Sequence, residues 1–287
     1  MSDTVRAVLL LECYVTVTLL APLLLGRLPL VAQRPVAMLA AWHGFLVTAV
    51  LSLGSGLGLL IHQGVSMQAG GGPVQDPAPV AAIPLAYVAA GVLGVLLFRI
   101  VEEGGRVVRE ARQRAGEVAT LLLASRPYRV AGRDARLVES DVPLAALSPA
   151  TGVILLTTEA RARLDDDELA AVLEHETAHL EQRHALAVRI AQVSRAILPA
   201  LPASQRLALS TTIAIEFIAD DHAARVSGPD TVAAALVKLD PDGGLSALRA
   251  DRMRHPRGGH RVALRLLCAV ACALPVLPLV IVLLPPA

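Results

Sequence analysis

The chain has 287 residues, of which 54% are hydrophobic, and its mean hydropathy is +0.58. A soluble core of this size cannot bury that much apolar surface, so part of the chain is expected to lie in lipid. The formal net charge is only +1 and the charged residues are concentrated in the middle of the sequence, which argues against direct binding of nucleic acid.

Four apolar segments are long enough to cross a bilayer, which takes roughly 20 residues of helix. They are residues 5–25, 35–61, 79–100 and 262–284. The pattern predicts three transmembrane helices in residues 1–100, a polar region over 101–261 that is large enough for one domain, and a fourth transmembrane helix in residues 262–287.

The positions of the arginines predict how the chain is oriented in the membrane. The loop between the first two spans carries Arg27 and Arg34, whereas the second loop, residues 62–77, has Asp76 as its clear charge. Short loops that contain Lys or Arg tend to stay in the cytoplasm. The sequence therefore predicts a multi-pass protein of the cell membrane with a cytoplasmic polar region.

The polar region mixes helical and strand-like segments. Short β-prone runs occur at residues 128–130, 135–138 and 152–157, and Gly, Asp and Pro separate them. Helices are predicted over residues 102–124, 165–187 and 204–226. The expected fold class is α+β and mainly α, with four transmembrane helices and a cytoplasmic domain that contains a small β-sheet.

The main chemical signal is the segment His-Glu-Thr-Ala-His at residues 175–179, an H-E-x-x-H motif. Helical residues four apart share a face, so His175 and His179 can hold one metal ion while Glu176 lies beside it as a general base. Asp165, followed three residues later by Glu168, is typical of the start of such a helix. On this motif alone, a pair of surface histidines on an ordinary amphipathic helix stays open as the alternative.

A second acidic element, Glu216-Phe217-Ile218-Ala219-Asp220, lies in another apolar helix. A catalytic zinc takes three protein ligands and keeps one position open, and Glu216 supplies the third ligand. Asp220, one turn later, can accept the free N–H of a ligating histidine and fix its tautomer. An unpaired carboxylate among these apolar side chains would be costly, which favours a metal site over a solvated helix face. The predicted cofactor is one Zn²⁺.

These two elements resemble the gluzincin membrane peptidases of the M56 and M48 families, whose pattern is H-E-x-x-H followed by E-x-x-A-D. Three spans before the motif and one after it are similar to the M56 group, which includes the transducers of β-lactam resistance, so M56 is ranked first. His255-Pro256, followed by Arg261-Val262, resembles a late element of M48, which is ranked second. The families often have Asp five residues after the second histidine, where this chain has His184.

The resemblance implies a zincin-like domain that acts as a zinc-dependent endopeptidase on a protein substrate. In the M56 interpretation the substrate is a cytoplasmic regulator in signal transduction, with a transcriptional repressor as the candidate. In the M48 interpretation the enzyme degrades misfolded or membrane proteins. A non-catalytic zinc-binding sensor or scaffold is a third hypothesis, against which the intact Glu176 argues. Membrane lipid and a second copy of the chain are further expected partners.

The resemblance also implies how the substrate is held. Gluzincins bind it extended along an edge strand, for which Val153, Ile154 and Leu155 are the predicted residues. The group that stabilises the oxyanion is harder to assign from the sequence. His222 and Arg225 are the candidates because they follow Asp220 on the same helix, and His222 is predicted to be catalytic together with Glu176.

Overall fold

The computed structural model describes residues 2–26, 28–69, 77–130, 133–147, 152–198, 201–240, 243–255 and 261–284. Within these ranges the helices are α1 (Asp3–Leu25), α2 (Leu28–Gln33), α3 (Pro35–Ala69), α4 (Pro77–Ala124), α5 (Thr158–Arg163), α6 (Asp166–Glu181), α7 (His184–Ile197), α8 (Pro202–Ser227), α9 (Pro229–Leu239), α10 (Gly244–Arg254), α11 (Arg261–Ala273) and α12 (Val276–Leu283). The strands are β1 (Arg126–Val130), β2 (Arg133–Val138), β3 (Ala145–Leu147) and β4 (Ile154–Thr157). The predicted class, mainly helical with a small sheet, is confirmed.

Long apolar helices account for the high hydropathy of the chain. Among the described residues, four helical segments are long and apolar enough to cross a membrane, namely Asp3–Leu25, Pro35–Ala69, Ala81–Ala124 and Leu266–Leu283. They agree in number and order with the predicted spans. By length and composition, the chain is therefore a multi-pass membrane protein.

The third span and the charged segment after it form one continuous helix, α4, although they were predicted as two helices. Gly104 and Gly105 lie inside it. Ion pairs between successive turns support this stretch, because the buried Glu103 carboxylate lies 3.1 Å from Nη2 of Arg99 and 2.6 Å from Nη2 of Arg106. The predicted border at residue 100 thus falls within a helix.

Two other spans end differently from their predictions. Helix α3 continues to Ala69, well past residue 61, and so takes in part of the predicted second loop; residues 70–76 of that loop lie outside the described residues. The last span is broken between α11 and α12 at Leu274 and Pro275. Proline lacks the backbone N–H that continues a helix, which explains the interruption.

Helix α3 makes close contacts with two neighbouring spans through glycine. A Cβ atom added at Gly44 would collide with the carbonyl oxygen of Ala271 in α11, and one added at Gly64 would collide with Ala86 in α4. In membranes, small residues of this kind let helix backbones approach closely. Helix α3 is therefore the element around which the spans are packed.

The sheet has the order β1-β2-β4-β3. Strand β4 pairs in parallel with β2, where Ala135 lies opposite Ile154, and antiparallel with β3, where Leu147 lies opposite the same residue. The prediction of an edge strand at Val153, Ile154 and Leu155 is therefore wrong, because β4 has a neighbour on both sides. The edge strand beside β4 is β3, and the other edge strand is β1. Strand β3 was not predicted because its sequence, Ala-Ala-Leu, lacks β-branched and aromatic residues.

Helix α6 begins as predicted and ends earlier. The backbone N–H of Glu168 donates to Asp165 at 2.8 Å, and the N–H of Asp165 donates to the Glu168 carboxylate at 3.0 Å, which completes a capping box. The helix stops at Glu181 and not at residue 187. Arg183 has a φ of 52°, a left-handed conformation that no α-helix contains, and it separates α6 from α7.

Helix α8 connects the peptidase region to the membrane spans. Its residues Leu207, Ala214 and Phe217 are buried in one core with Trp42 and Phe45 of α3. A different side of α8 packs against α6, which carries the H-E-x-x-H motif. The polar region and the spans are thus held together by a shared apolar core.

Candidate metal centre

The structure brings His175, His179 and Glu216 together where α6 crosses α8. Their ligand atoms all lie within 4.8 Å of one another. The Nε2 atoms of the two histidines are 3.0 Å apart, and the Glu216 oxygens lie 3.5 Å from Nε2 of His175 and 3.6 Å from Nε2 of His179. Two helices remote in sequence therefore aim three donor atoms at one point.

This arrangement fits a first-row divalent metal ion. Zinc bonds to imidazole nitrogen and carboxylate oxygen at about 2.0–2.2 Å, so ligands of a tetrahedral site lie ~3.3 Å apart. The three separations in this site scatter around that value. Two imidazoles and one carboxylate also form a donor set that zinc enzymes use while keeping a fourth position open. The predicted set of three ligands is thus consistent with the geometry.

Asp220 lies behind His175 and is completely buried. Its Oδ1 is 3.0 Å from Nδ1 of His175, on the side of the ring away from His179. A carboxylate in this position accepts the Nδ1–H and leaves Nε2 free to bind a metal. The contact that the sequence predicted for Asp220 is therefore present.

His184 takes the corresponding position behind the second histidine. Its Nδ1 lies 3.0 Å from Nδ1 of His179, and the residue is only 3% exposed. Burial lowers the pKa of His184, which favours the neutral ring that can accept a proton from His179. The residue five positions after the second histidine thus makes a polar contact with that histidine.

The electrostatics of the site favour positive charge beside His175. Burial lowers the pKa of His175, but hydrogen bonds to Asp220 and Glu216 outweigh this effect and raise it to about 9. Burial and the nearby charge of His175 lower the pKa of His179 to about 4. The two carboxylates therefore stabilise a cation at this position, as a metal site requires.

Arg249 of α10 is a functional residue that the sequence motifs did not reveal. It donates to both oxygens of Asp220, at 2.9 and 2.7 Å, and to Glu216 at 2.9 Å. Burial opposes ionisation of Glu216, but the hydrogen bond from His175 and the charge of Arg249 keep its pKa below the usual value. A signal was available, because Arg249 shares the buried face of α10 with Ser246, Ala250 and Met253.

A cleft of about 470 Å³ opens in front of the three ligands. Glu176 lines this cleft next to His175 and His179, where a general base for hydrolysis would be needed. One wall is formed by Leu144 and Ala145, at the start of β3. The other apolar lining residues come from α6 and α9 and include Val172, Val232, Leu236 and Leu239.

The structure does not bring His222 or Arg225 to the cleft. Nε2 of His222 faces Glu174 at 3.6 Å, and its Nδ1 lies 3.5 Å from Nη2 of Arg225. Neither residue is among those that line the cleft. The predicted catalytic role of His222 therefore has no support in this geometry.

Comparison with known proteins agrees with the site. Residues 137–219, less than a third of the chain, match the model of Peptidase family M48, and the match includes all three metal ligands. Neither the curated proteins nor the solved structures contain a match to the chain. The M56 family, which the number of spans had placed first, is not indicated. Counting spans was a weaker guide than the motifs, because spans carry no catalytic chemistry.

The metal-ligand set, the family match and the four apolar helices together define a membrane metallopeptidase. Residues 137–219 are similar to peptidase family M48, and this stretch holds the H-E-x-x-H helix and the glutamate of a second helix that completes the ligand set. The late residues Pro256 and Arg261 that suggested M48 in the sequence have side chains outside the described part of the chain. His255 is exposed and pairs with Asp251 at 3.1 Å.

The contact between His184 and His179 predicts the effect of two substitutions. His184→Leu removes the acceptor for His179, so metal affinity should fall by roughly 10–100-fold. His184→Asp keeps an acceptor at this position and should retain most of the affinity. Competition with a chromogenic chelator measures both constants. Equal affinities for the Leu and Asp variants would show that the contact does not orient His179.

Proposed function

We propose that the protein is a zinc-dependent endopeptidase that cleaves protein substrates at the membrane. The observation that carries this proposal is the meeting of His175, His179 and Glu216 in an open cleft with Glu176 beside them. Zinc, held by the first three residues, would polarise the scissile carbonyl and acidify the attacking water. A non-catalytic sensor has no use for a carboxylate at position 176, and the M48 match supports catalysis.

Glu176 acts as the general base and then as the general acid. In this role it accepts a proton from the attacking water and passes it to the leaving amine, which lets the peptide bond break without releasing a strong base. Its position one residue after His175 keeps it on the cleft side of α6. Asp220 and His184 serve to orient the ligating rings.

The substrate aligns along β3, which replaces β4 as the proposed docking strand. The N–H of Thr157 donates to the carbonyl oxygen of Leu144 at 2.9 Å, so the backbone polar groups of Leu144 point toward β4. Those of the next residue, Ala145, point away from β4, because the direction alternates along a strand. Ala145 lines the cleft. Its N–H and C=O are therefore placed to pair with an extended peptide that crosses in front of the metal ligands.

The cleft favours apolar side chains beside the scissile bond. Val232, Leu236 and Leu239 of α9 form an apolar wall within reach of the metal ligands. Segments rich in such residues are exposed in misfolded proteins and at the ends of membrane spans. Together with the M48 match, this favours quality control of membrane or misfolded proteins as the role. The alternative of signalling through cleavage of a transcriptional repressor rests on the M56 resemblance alone.

The proposal places the peptidase region in the cytoplasm. The loop between α1 and α3 lies on the same side of the bundle as this region, because Nε of Arg252 in α10 donates to the carbonyl oxygen of Ala32 at 2.6 Å. That loop carries Arg27 and Arg34. The preference of such loops for the cytoplasm supports a cytoplasmic active site.

The roles of Glu176 and Glu216 predict different defects. Glu176→Gln should keep one zinc per chain and lower peptidase activity by about 10²–10⁴-fold, because only the base is lost. Glu216→Ala should lose both zinc and activity. Zinc content and casein cleavage by the purified protein in detergent test this. If Glu216→Ala keeps the zinc content of the wild type, Glu216 is not a ligand.

Because the backbone N–H of Ala145 points away from β4, replacing this residue by proline has a predictable effect. Ala145→Pro removes the N–H that would pair with substrate and spares the bonds to β4, so kcat/KM should fall by about tenfold or more at unchanged zinc content. Ala145→Ser is the matched control because it keeps the N–H. Equal kcat/KM for the Pro and Ser variants would exclude docking along β3.

The proposed orientation predicts the labelling of two engineered cysteines. The natural cysteines Cys13, Cys268 and Cys272 are first replaced by alanine. In intact cells an impermeant thiol reagent should then label Gln68→Cys, at the end of α3, and should label Glu117→Cys in α4 only after the membrane is opened. The opposite pattern would place the peptidase region outside the cytoplasm.

A further inference from the structure

Arg249 connects two acidic residues that have different tasks in the site. Nε and Nη2 form a bidentate pair with the Asp220 carboxylate, and Nη1 donates to Oε2 of Glu216 at 2.9 Å. Its side chain is only 11% exposed. Glu216 has its other oxygen, Oε1, toward His179 at 3.6 Å. One guanidinium thus fixes both the third ligand and the carboxylate that orients the first ligand.

Arg249 is not alone among the described residues in joining α10 to α8. Three residues later, Arg252 forms its own bidentate pair with Asp221, with both distances at 2.8 Å. The Arg252 guanidinium also lies over the ring of Phe217, at 4.8 Å from its centroid. This second arginine lies outside the cleft and joins the same two helices. A purely structural contact between them is therefore already present.

The charges around the ligands suggest what Arg249 does. Glu176, Glu216 and Asp220 carry three formal negative charges, and Arg249 supplies one positive charge. The remaining charge of about −2 matches one divalent cation. Without the guanidinium, Oε2 of Glu216 would lose its charged partner, and the carboxylate could turn relative to the two histidines.

We infer that Arg249 is a positioning residue of the metal centre, which fixes the orientation of the Glu216 carboxylate together with that of Asp220. This inference rests on the proposed zinc site and extends it. Both Glu216 oxygens face the ligating histidines, since Oε2 lies 3.5 Å from Nε2 of His175 and Oε1 lies 3.6 Å from Nε2 of His179. Arg249 thereby holds the third ligand in the direction of the two histidines, so that its carboxylate does not have to be ordered when a metal ion binds.

The shape of the guanidinium distinguishes this role from simple neutralisation. Arginine presents several donors in a rigid plane, and here three of its nitrogens reach two carboxylates. Lysine would supply the same charge through one ammonium group and could not hold both carboxylates in this geometry. Charge and geometry can therefore be separated by comparing Arg249→Lys with Arg249→Met.

The test uses Co²⁺ as the probe, because its visible spectrum reports the number and arrangement of its ligands and needs no turnover. The purified full-length protein is loaded with Co²⁺, and affinity is measured by competition with a chelator. Wild type is compared with Arg249→Met, Arg249→Lys and, as the matched control for attachment of α10, Arg252→Met. Thermal unfolding of each variant before loading shows that it is folded.

We expect the affinity for Co²⁺ to fall by roughly 10–100-fold in Arg249→Met, with a changed visible spectrum. Arg249→Lys should recover part of the affinity and keep an altered spectrum. Arg252→Met should match wild type in both, even with a lower unfolding temperature. A wild-type spectrum and affinity in both Arg249 variants would overturn the inference and leave the proposed function intact, as would an equal defect in Arg252→Met. Failure of the wild type itself to bind Co²⁺ or Zn²⁺ would overturn both.

Discussion

The rotation of α8 about its axis is the constraint on which the site depends. Phe217 is completely buried in the core shared with the membrane spans, while its neighbour Glu216 faces the histidines of α6. Successive helical residues point about 100° apart, so burial of Phe217 fixes the direction of Glu216. Asp220 follows one turn later and is fixed with it. The apolar contact with the bundle thus sets the geometry of the metal ligands.

Buried charge is the second feature that holds this region in one arrangement. Removing a carboxylate from water is unfavourable unless charged and hydrogen-bonding partners compensate, and Asp220 is fully buried. His175 and Arg249 provide that compensation from two other helices. Movement of α6, α8 or α10 alone would break at least one of these contacts to Asp220. The network therefore favours correct assembly of all three helices over any partly docked state.

Local sequence patterns were sufficient for the ligands and insufficient for their surroundings. His175 and His179 follow from helical spacing, Glu216 follows from the need for a third ligand and from its apolar neighbours, and the capping box predicts where α6 begins. The edge strand could not be found this way, because β3 has weak strand propensity and its position depends on pairing with β4. Arg249 was also missed, since helical spacing can place it on the buried face of α10 but its partners on α8 are visible only in the folded chain. The edge strand and the contacts of Arg249 both depend on residues remote in sequence, which local patterns do not report.

Trp42 is the single tryptophan of the chain, and it is 2% exposed in the core between α3 and α8. Indole fluorescence shifts to longer wavelength when water reaches the ring. The emission of the unlabelled protein therefore comes from one known place, the contact between the spans and the helix that carries Glu216. Loosening of that contact on a change of lipid or detergent can be followed optically, without attaching a dye.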